Sequence, residues 1–276
     1  MLQLRVPFGL VLCSVSRLVS RLVPCATAGA LLVAACSSST NNTGIGGDAG
    51  PGLTPPTGDA EPGDASTPVV DLLPGCTKDP GATPPTFDRG SADDPIGGAE
   101  KFTLAMALAG FPAGTGKLTA AIDTEKSVIR CELSETAAPI TVANFVGLAR
   151  GTRPYKMKNQ WQVGRFYDGL VWHRVIPNFV IQGGDPDGIG TGGPGYDLVK
   201  ENQLDEPLGT LAMAASKAPS GSQFYIVVGK GPGPDYNVFG NCTTEAAIAI
   251  AAVPRDGDDH PTTEVHMIKV AIGRCP

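Results

Sequence analysis

The aromatic residues of this chain are concentrated in its C-terminal part, and this limits where a hydrophobic core can form. Of the 276 residues, 36 are Gly and 25 are Pro, and many of these lie in residues 37–99, where Phe87 is the only aromatic residue. Every Trp and Tyr lies after residue 102. Because a core needs large apolar side chains that can be removed from water, we predict one folded domain over residues 101–276.

Residues 1–35 have the pattern of a bacterial export signal. The first 21 residues contain three arginines and no acidic residue, and the apolar run that follows ends in small residues. This run is shorter than the roughly 20 residues that a membrane span requires. Because small residues directly precede Cys36, the pattern is also typical of a lipoprotein signal, whose cleavage leaves that cysteine acylated. The alternative is an ordinary export signal with an incidental cysteine.

Residues 36–100 are predicted to form a flexible tether. Gly, Pro, Ser, Thr and Asp dominate the sequence after Cys36, without a helix or strand period. Such a composition cannot bury enough apolar surface to offset the conformational entropy lost on ordering. We therefore expect a lipid-anchored Cys36 and a tether that holds the folded domain away from the periplasmic face of a bacterial membrane. Ser37, directly after the cysteine, favours the outer membrane.

The charge balance excludes one class of partner. The chain has 27 acidic and 21 basic side chains, a formal net charge of −6. Binding to a phosphate backbone requires a basic surface. We therefore expect no nucleic-acid partner, and we expect a monomer.

Four cysteines remain beyond the signal and Cys36, and they are Cys76, Cys131, Cys242 and Cys275. Export would place them in an oxidising compartment, where an even number predicts two disulfides. Three connectivities are possible, and the sequence does not choose among them. The long spacings, the absence of a C-x-x-C pair and the presence of three His in the chain argue against a zinc site, and no metal is expected.

The C-terminal part has the pattern of a mainly β domain. Short segments rich in Val, Ile, Phe and Tyr are bounded by Gly, Pro or Asp. The predicted strands are 117–123, 126–133, 169–175, 178–183, 209–214, 222–228, 236–240 and 264–272. Helices are predicted over 139–150, where Pro139 suits the first turn and Gly151 ends it, and over 244–253. Eight short strands and two helices suggest a closed β-barrel, although these patterns alone leave barrel or sandwich open.

The segment FYDGLVWHRVIPNFVIQGGDPDGIGTGGPGY, residues 166–196, resembles the central signature of cyclophilin-type peptidyl-prolyl cis/trans isomerases. Three further segments agree in order and spacing, at 141–151, 211–226 and 235–240. The likeness extends over residues 117–272. It implies an eight-stranded antiparallel closed β-barrel capped by two α-helices. It also implies an enzyme that needs no cofactor and acts on proline-containing polypeptide clients to assist their folding.

The reaction defines what such a site must contain. Rotation about the X-Pro bond is opposed by amide resonance, with a barrier of about 18–20 kcal/mol, so a catalyst must favour the twisted amide. The resemblance implies that Arg174 donates to the prolyl nitrogen with its permanently charged guanidinium. It implies that Phe179 forms part of the apolar floor for the ring. It also implies that Gln182 hydrogen-bonds the client backbone and helps to position Arg174.

Five further residues are implied to hold the client. Val180 and Tyr225 would complete the floor under the proline ring, while Gln223 and the backbone of Ala214 would hold the extended peptide. Tyr236 occupies a position that is His in many eukaryotic members of the family. Plain packing in a barrel core is the alternative for the apolar members of this set.

Two departures from the family pattern keep a second function open. Ala215 stands where the family usually has Asn, and Pro232 lies where an apolar Leu is common; the loop over 230–237 also has no Trp. These changes are expected to affect the affinity for the peptide more than the isomerisation step. The alternative to an enzyme is a non-catalytic, membrane-tethered module that binds proline-containing segments or acts as a holdase.

Two other residues are interpreted as structural. His173 precedes Arg174 and should point to the opposite face of its strand, as a packed residue that carries no proton in the reaction. Trp161 lies in the insertion 151–166, where it either contacts clients or pins the loop to the barrel. We favour the second interpretation.

Overall fold

The computed structural model describes residues 71–276, and antiparallel pairing dominates it. Nine of the strands in this part form one sheet in the order β1-β11-β2-β3-β10-β8-β9-β7-β6, and β4 pairs with β5 in a separate hairpin. The strands are β1 Thr77–Lys78, β2 Lys117–Asp123, β3 Ile129–Leu133, β4 Tyr155–Met157, β5 Gln160–Gln162, β6 Arg174–Val175, β7 Val180–Gly183, β8 Thr210–Ala215, β9 Pro219–Val227, β10 Val238–Cys242 and β11 Lys269–Cys275.

The helices of the described part are α1 Leu104–Ala107, α2 Pro139–Arg150 and α3 Glu245–Ala251, with a short 3-10 helix at Ala99–Lys101. The sequence predicts α2 with its observed bounds, and α3 lies inside the predicted range. The expectation of two helices is wrong because it omits α1, a single turn. Its cap is Thr103, whose side chain accepts a hydrogen bond from the Met106 N–H.

The predicted closed eight-stranded barrel is not what the strand order shows. The order has two ends, β1 and β6, and contains one strand more than predicted. Outside the named strands, the segment before β6 pairs with the segment before β11: the Trp172 N–H donates to the Val265 carbonyl at 2.9 Å and the Met267 N–H to the Leu170 carbonyl at 2.7 Å. This pairing is too irregular to extend β6 or β11, so the predicted strands over 169–175 and 264–272 begin too early.

Helix α2 anchors the main hydrophobic core. Pro139 lies in its first turn, and Gly151 ends it in the left-handed conformation at φ 78°, which glycine adopts at little steric cost. Phe145 is fully buried and contacts three other aromatic rings, with centroid distances of 5.0 Å to Tyr167, 5.5 Å to Phe224 and 5.3 Å to Phe239. The sheet and α2 therefore meet at an aromatic cluster.

Two disulfides form in the described part, as the count of cysteines predicts. Cys131 on β3 bonds to Cys242 on β10, where the two residues face each other across adjacent strands. Cys76 bonds to Cys275 on the last strand. The structure thus selects one of the three connectivities that the sequence leaves open.

Residues 71–100 pack against the domain, so a tether extending to residue 100 is wrong for this part of the chain. Strand β1 pairs with β11. Two acidic side chains from this segment form ion pairs with fully buried arginines at the C-terminal end of α2. Asp79 pairs with Arg150, the last residue of the helix, at 2.8 Å, and Asp94 pairs with Arg153, just beyond it. The polar composition of the segment hides this docking, because ion pairs and a disulfide replace the apolar contacts that a sequence pattern reveals.

Trp161 on β5 also belongs to this docking. Its side chain is buried, its indole N–H donates to the Ser91 carbonyl at 3.0 Å, and its backbone N–H donates to the Arg89 carbonyl at 3.0 Å. Trp161 is therefore a packed residue, as predicted, but these hydrogen bonds do not tie its loop to the barrel. What it holds is the segment before residue 100.

The predicted export signal, the acylated Cys36 and the tether up to residue 70 lie outside the described residues. Within residues 71–276, no helix has the length and apolar character needed to cross a membrane.

Asp94 has an unusually strong set of donors. Burial opposes ionisation, but hydrogen bonds from Arg153 and from the N–H groups of Ile96 and Gly98 lower the pKa of Asp94 below its ordinary value. A depressed folded-state pKa adds stability above the unfolded pKa, and this stability is lost as pH falls through the folded value. The Asp94–Arg153 pair should therefore stabilise the docked segment at neutral pH and weaken in acid.

We predict that Asp94→Asn lowers the free energy of unfolding at pH 7 by about 3 kcal/mol, because it leaves the Arg153 charge buried without a counter-charge. Urea unfolding followed by tryptophan fluorescence measures this loss. The difference from wild type should begin to shrink as pH falls below about 4, the ordinary pKa of an Asp carboxyl, and should continue to shrink as pH falls through the lowered pKa of folded Asp94. Asp93→Asn, at an exposed neighbouring position, is the control. Equal stability of both variants at pH 7 would refute the role of the pair.

Candidate active site

The site is built on the hairpin of β6 and β7. In the register of these strands Arg174 lies opposite Gln182, and Val175 lies opposite Ile181. Side chains of directly opposed residues project from the same face of an antiparallel pair. The tight connection uses Asn178 at φ 60°, a left-handed conformation that Asn tolerates. Strand pairing alone therefore brings the two polar residues together.

A cavity of about 200 Å³ lies against this hairpin. It brings together seven of the eight predicted site residues, together with both positions that depart from the family pattern. Its lining consists of Arg174, Phe179, Val180, Gln182, Ala214, Ala215, Tyr225, Pro232 and Tyr236.

The eighth predicted residue, Gln223, supports the cavity from behind. Its side-chain oxygen accepts a hydrogen bond from the Gln182 amide at 2.9 Å. Its own amide donates to the carbonyls of Gly190 at 3.0 Å and Gly192 at 2.8 Å. Gln223 is nearly buried, so it acts as a bridge between Gln182 and the glycine-rich loop.

The apolar wall of the cavity is a cluster separate from the main core. It combines buried Val180 and Tyr225 with the partly buried Phe179 and Tyr236. The rings of Tyr225 and Tyr236 meet edge to face at 5.4 Å. Such a wall offers a hydrophobic surface of the size of a proline ring without opening the core around Phe145.

Arg174 is the cation of the site. Its side chain is 39% exposed, and its guanidinium carbon lies 5.9 Å from the Phe179 ring centroid. Within the described residues it makes no hydrogen bond to Gln182, whose amide is directed to Gln223. The expectation that Gln182 helps to position Arg174 therefore lacks support from a direct contact. The carboxylate nearest to Arg174 belongs to Asp259, at 4.0 Å, a residue that no sequence pattern singled out.

A larger cavity of about 900 Å³ lies elsewhere, between residues 71–81 and β11. It is lined by the Arg165–Asp168 ion pair and contains none of the predicted site residues. Size alone therefore does not identify the site, whereas the convergence of a cation, two amides and an apolar wall does.

Comparison with known proteins agrees with this geometry. The family model described as cyclophilin type peptidyl-prolyl cis-trans isomerase/CLD matches residues 119–272. This chain belongs to the cyclophilin family. The peptidyl-prolyl cis-trans isomerase A of Mycobacterium tuberculosis is 44% identical over 167 residues, covering 56% of this chain and 91% of that protein. The peptidyl-prolyl cis-trans isomerase B of Bacillus subtilis is 47% identical over 124 residues, covering 42% and 76%.

A solved structure supports the same assignment. The crystal structure of a cyclophilin type peptidyl-prolyl cis-trans isomerase from Cryptosporidium parvum has a TM-score of 0.50 and 26% identity to this chain. The match covers 58% of this chain and 99% of that one. Residues 71–100, with the disulfide of Cys76, lie before the region that the family model matches.

His173 is buried in the cyclophilin domain behind the strand that carries Arg174. Neither ring nitrogen has a hydrogen-bond partner among the described residues. Burial lowers the pKa of His173, and the nearby Asp185 opposes this only in part. The residue is therefore a neutral packed side chain at pH 7, which agrees with its interpretation from the sequence.

Below the apolar wall lies a polar pair that the sequence did not reveal. The Tyr225 hydroxyl and both carboxylate oxygens of Glu206 are buried close to each other, and none of them makes a hydrogen bond of good geometry within residues 71–276. Burial and the charge of Asp235 raise the pKa of Glu206, and the nearby Tyr225 hydroxyl and Gly233 N–H oppose this shift. Glu206 is thus an acidic residue held in an environment that disfavours its charge.

We predict that Glu206→Gln raises the free energy of unfolding at pH 7 by about 1 kcal/mol, because it removes a charge that burial disfavours while keeping the size and shape of the side chain. A raised folded-state pKa means that wild-type stability is highest below the ordinary carboxyl value and falls as pH rises through the folded value. The variant should lack this fall. Urea unfolding at pH 4 and pH 7 measures it.

The matched control is Glu201→Gln. The Glu201 carboxylate accepts hydrogen bonds from the N–H groups of Ile140 at 2.8 Å and Thr141 at 2.7 Å, so this variant should be less stable than wild type. A Glu206→Gln protein that is also less stable at pH 7 would show that the Glu206 charge is stabilised in the fold.

Proposed function

We propose that this chain catalyses cis/trans isomerisation of X-Pro bonds in exported polypeptide clients and so assists their folding. The observation that carries the proposal is the cavity in which Arg174 faces an apolar wall of Phe179, Val180 and Tyr225. Its composition matches what the reaction needs, because no bond is made or broken and the enzyme has only to favour the twisted amide.

Each part of the cavity has a physical task in this reaction. The apolar wall holds the proline ring, and burial of its methylene groups supplies binding free energy of about 0.8 kcal/mol each. In the twisted amide the prolyl nitrogen regains a lone pair, which can accept a hydrogen bond from the Arg174 guanidinium. That donor interaction is weaker in the planar ground state, so it lowers the barrier.

The amide pair gives the client backbone a fixed partner. Because Gln182 is already bonded to Gln223, and Gln223 to two loop carbonyls, these side chains lose little conformational entropy when a peptide binds. Ala214, near the end of β8, lines the same cavity and offers backbone groups to an extended segment. The enzyme can thus bind the client backbone on both sides of the proline while the X-Pro bond rotates.

A second function stays open because of two residues in the cavity lining. Ala215 supplies no side-chain hydrogen bond, and Pro232 adds a rigid ring to the rim. A site altered in this way could bind proline-containing segments without useful turnover, as a tethered holdase. Intact Arg174 and Gln182 favour the enzyme.

We predict that the purified full chain accelerates isomerisation of an Ala-Pro test peptide, and that Arg174→Ala lowers kcat/KM at least tenfold. Tenfold corresponds to about 1.4 kcal/mol of transition-state stabilisation. The measurement is a stopped-flow isomerisation assay together with calorimetric binding of the same peptide.

The control is Lys230→Ala, which removes an exposed positive charge from the loop beside Pro232 and should leave kcat/KM within twofold of wild type. If the wild-type chain binds the peptide without exceeding the spontaneous rate, the enzymatic proposal fails and the holdase replaces it. Equal losses in both variants would reduce the role of Arg174 to general surface charge.

The proposed location is the periplasmic face of a bacterial membrane, with the outer membrane favoured by Ser37 and with Cys36 as the lipid anchor. The signal-like residues 1–35 support it. Two disulfides in the described domain also favour an oxidising compartment. A tethered site at a membrane surface suits clients that emerge unfolded from export.

We predict that Cys36→Ser leaves the protein unacylated and moves it from the membrane to the soluble fraction. The reason is that the acyl chains attached to Cys36 are the proposed membrane anchor. Fractionation and intact mass of the purified protein measure both effects. Cys25→Ser, inside the predicted signal, is the control and should remain membrane-bound. An unchanged mass and fraction for Cys36→Ser would refute the lipoprotein.

A further inference from the structure

The loop between α3 and β11 reaches the site through Asp259. This loop is closed on itself: the Thr262 N–H donates to the Pro254 carbonyl at 2.9 Å, and the Asp256 N–H donates to the His260 carbonyl at 2.9 Å. The Asp256 carboxylate accepts from the N–H groups of Asp258 and His260, both at 2.9 Å. A loop with so many internal bonds holds its side chains in defined places.

Asp259 is locked to the strand that carries Arg174. Its carbonyl accepts the Val175 N–H at 2.9 Å, directly after Arg174 in the chain. Its φ is 67°, a left-handed value that Asp and Asn adopt more readily than most residues. The backbone of Asp259 therefore faces β6 at a fixed register.

The Asp259 carboxylate lies between two arginines. One oxygen is 3.0 Å from the Arg255 Nε, and the other is 4.0 Å from the Arg174 Nε. The closer pair fixes the direction of the carboxylate and leaves its second oxygen toward Arg174. All three side chains are about one third exposed, so each remains partly solvated.

Arg174 has few other restraints. Within the described residues, its guanidinium makes no hydrogen bond, and its polar and cation–π contacts are the Asp259 carboxylate at 4.0 Å and the Phe179 ring at 5.9 Å. A free arginine side chain has large rotamer entropy, and its guanidinium must point at one nitrogen atom to be useful. Something must therefore select its direction before the client arrives.

We infer that Asp259, held by Arg255, is a positioning residue that orients the Arg174 guanidinium toward the prolyl nitrogen. This inference rests on the proposed isomerase function. A carboxylate on the Nε side of the guanidinium leaves the two terminal N–H₂ groups for the client, because the five N–H donors of arginine point in fixed directions in one plane. Asp259 itself does not contact the peptide.

The test is Asp259→Asn in the purified full chain, with the Ala-Pro peptide. Asn tolerates the left-handed backbone and keeps the carbonyl that accepts the Val175 N–H, so only the charge is removed. We expect kcat/KM to fall about fivefold, the upper end of what a partly exposed ion pair contributes. The Kd of the peptide should change less than twofold, since the loss falls on orientation in the transition state.

Two variants separate this role from loop stability. Asp258→Asn removes the same charge from an exposed position of the same loop and should leave kcat/KM and thermal unfolding unchanged. Arg255→Gln frees the Asp259 carboxylate and should cause a smaller loss than Asp259→Asn. An Asp258→Asn loss equal to that of Asp259→Asn would overturn the inference.

A double-mutant cycle with Arg174→Ala completes the experiment. If Asp259 acts through Arg174, Asp259→Asn should cause no further loss of kcat/KM in the Arg174→Ala background. A further fivefold loss in the Arg174→Ala background would overturn the inference. It would also be overturned if the wild type is active and Asp259→Asn has the same kcat/KM. A wild-type chain without catalysis would instead overturn the proposed function, and the inference with it.

Discussion

The pairing of β6, β7 and β9 is the constraint on which the site depends. Gln182 on β7 lies opposite Arg174 on one side and Tyr225 on the other. One register therefore places the cation, the amide and the apolar floor in a row across three strands. A slip of one residue would turn each of these side chains to the opposite face. The chemistry of the site is thus a consequence of backbone hydrogen bonds formed before any client binds.

The residues that form the main core and the residues that form the binding surface belong to separate apolar clusters. The large core gathers around Phe145, while the cavity wall is a small cluster that includes Val180 and Tyr225. Polar groups lie beside the small cluster: the hydrogen-bonded Gln182–Gln223 pair and the buried Glu206 next to Tyr225. A client can therefore enter and leave without disturbing the packing around Phe145. Burial disfavours the charge of Glu206, which indicates that this region of the fold is not optimised for stability, a common property of binding sites.

The sequence predicts what short-range patterns determine. Helix α2 is predicted with its observed bounds because proline and glycine mark its ends. The cavity residues are predicted only through the resemblance of segments 166–196, 211–226 and 235–240 to the cyclophilin family. The docking of residues 71–100 is missed because Asp94 and Arg153 are 59 residues apart and neither lies in an apolar repeat. Asp259 is missed for the same reason: it lies in the loop between α3 and β11, far from Arg174 in the sequence, and no short-range pattern connects the two residues.

The backbone around Arg174 explains why one carboxylate can matter for its side chain. Before Arg174, the Trp172 N–H donates to the Val265 carbonyl, and after it, the Val175 N–H donates to the Asp259 carbonyl. Both acceptors belong to the segment that leads into β11, and Cys275 on that strand is bonded to Cys76. The main chain of Arg174 is thus fixed on both sides by a disulfide-anchored segment. The remaining freedom of Arg174 lies in its side-chain torsions. The Asp259 carboxylate is the nearest negative charge that can favour one orientation of the guanidinium.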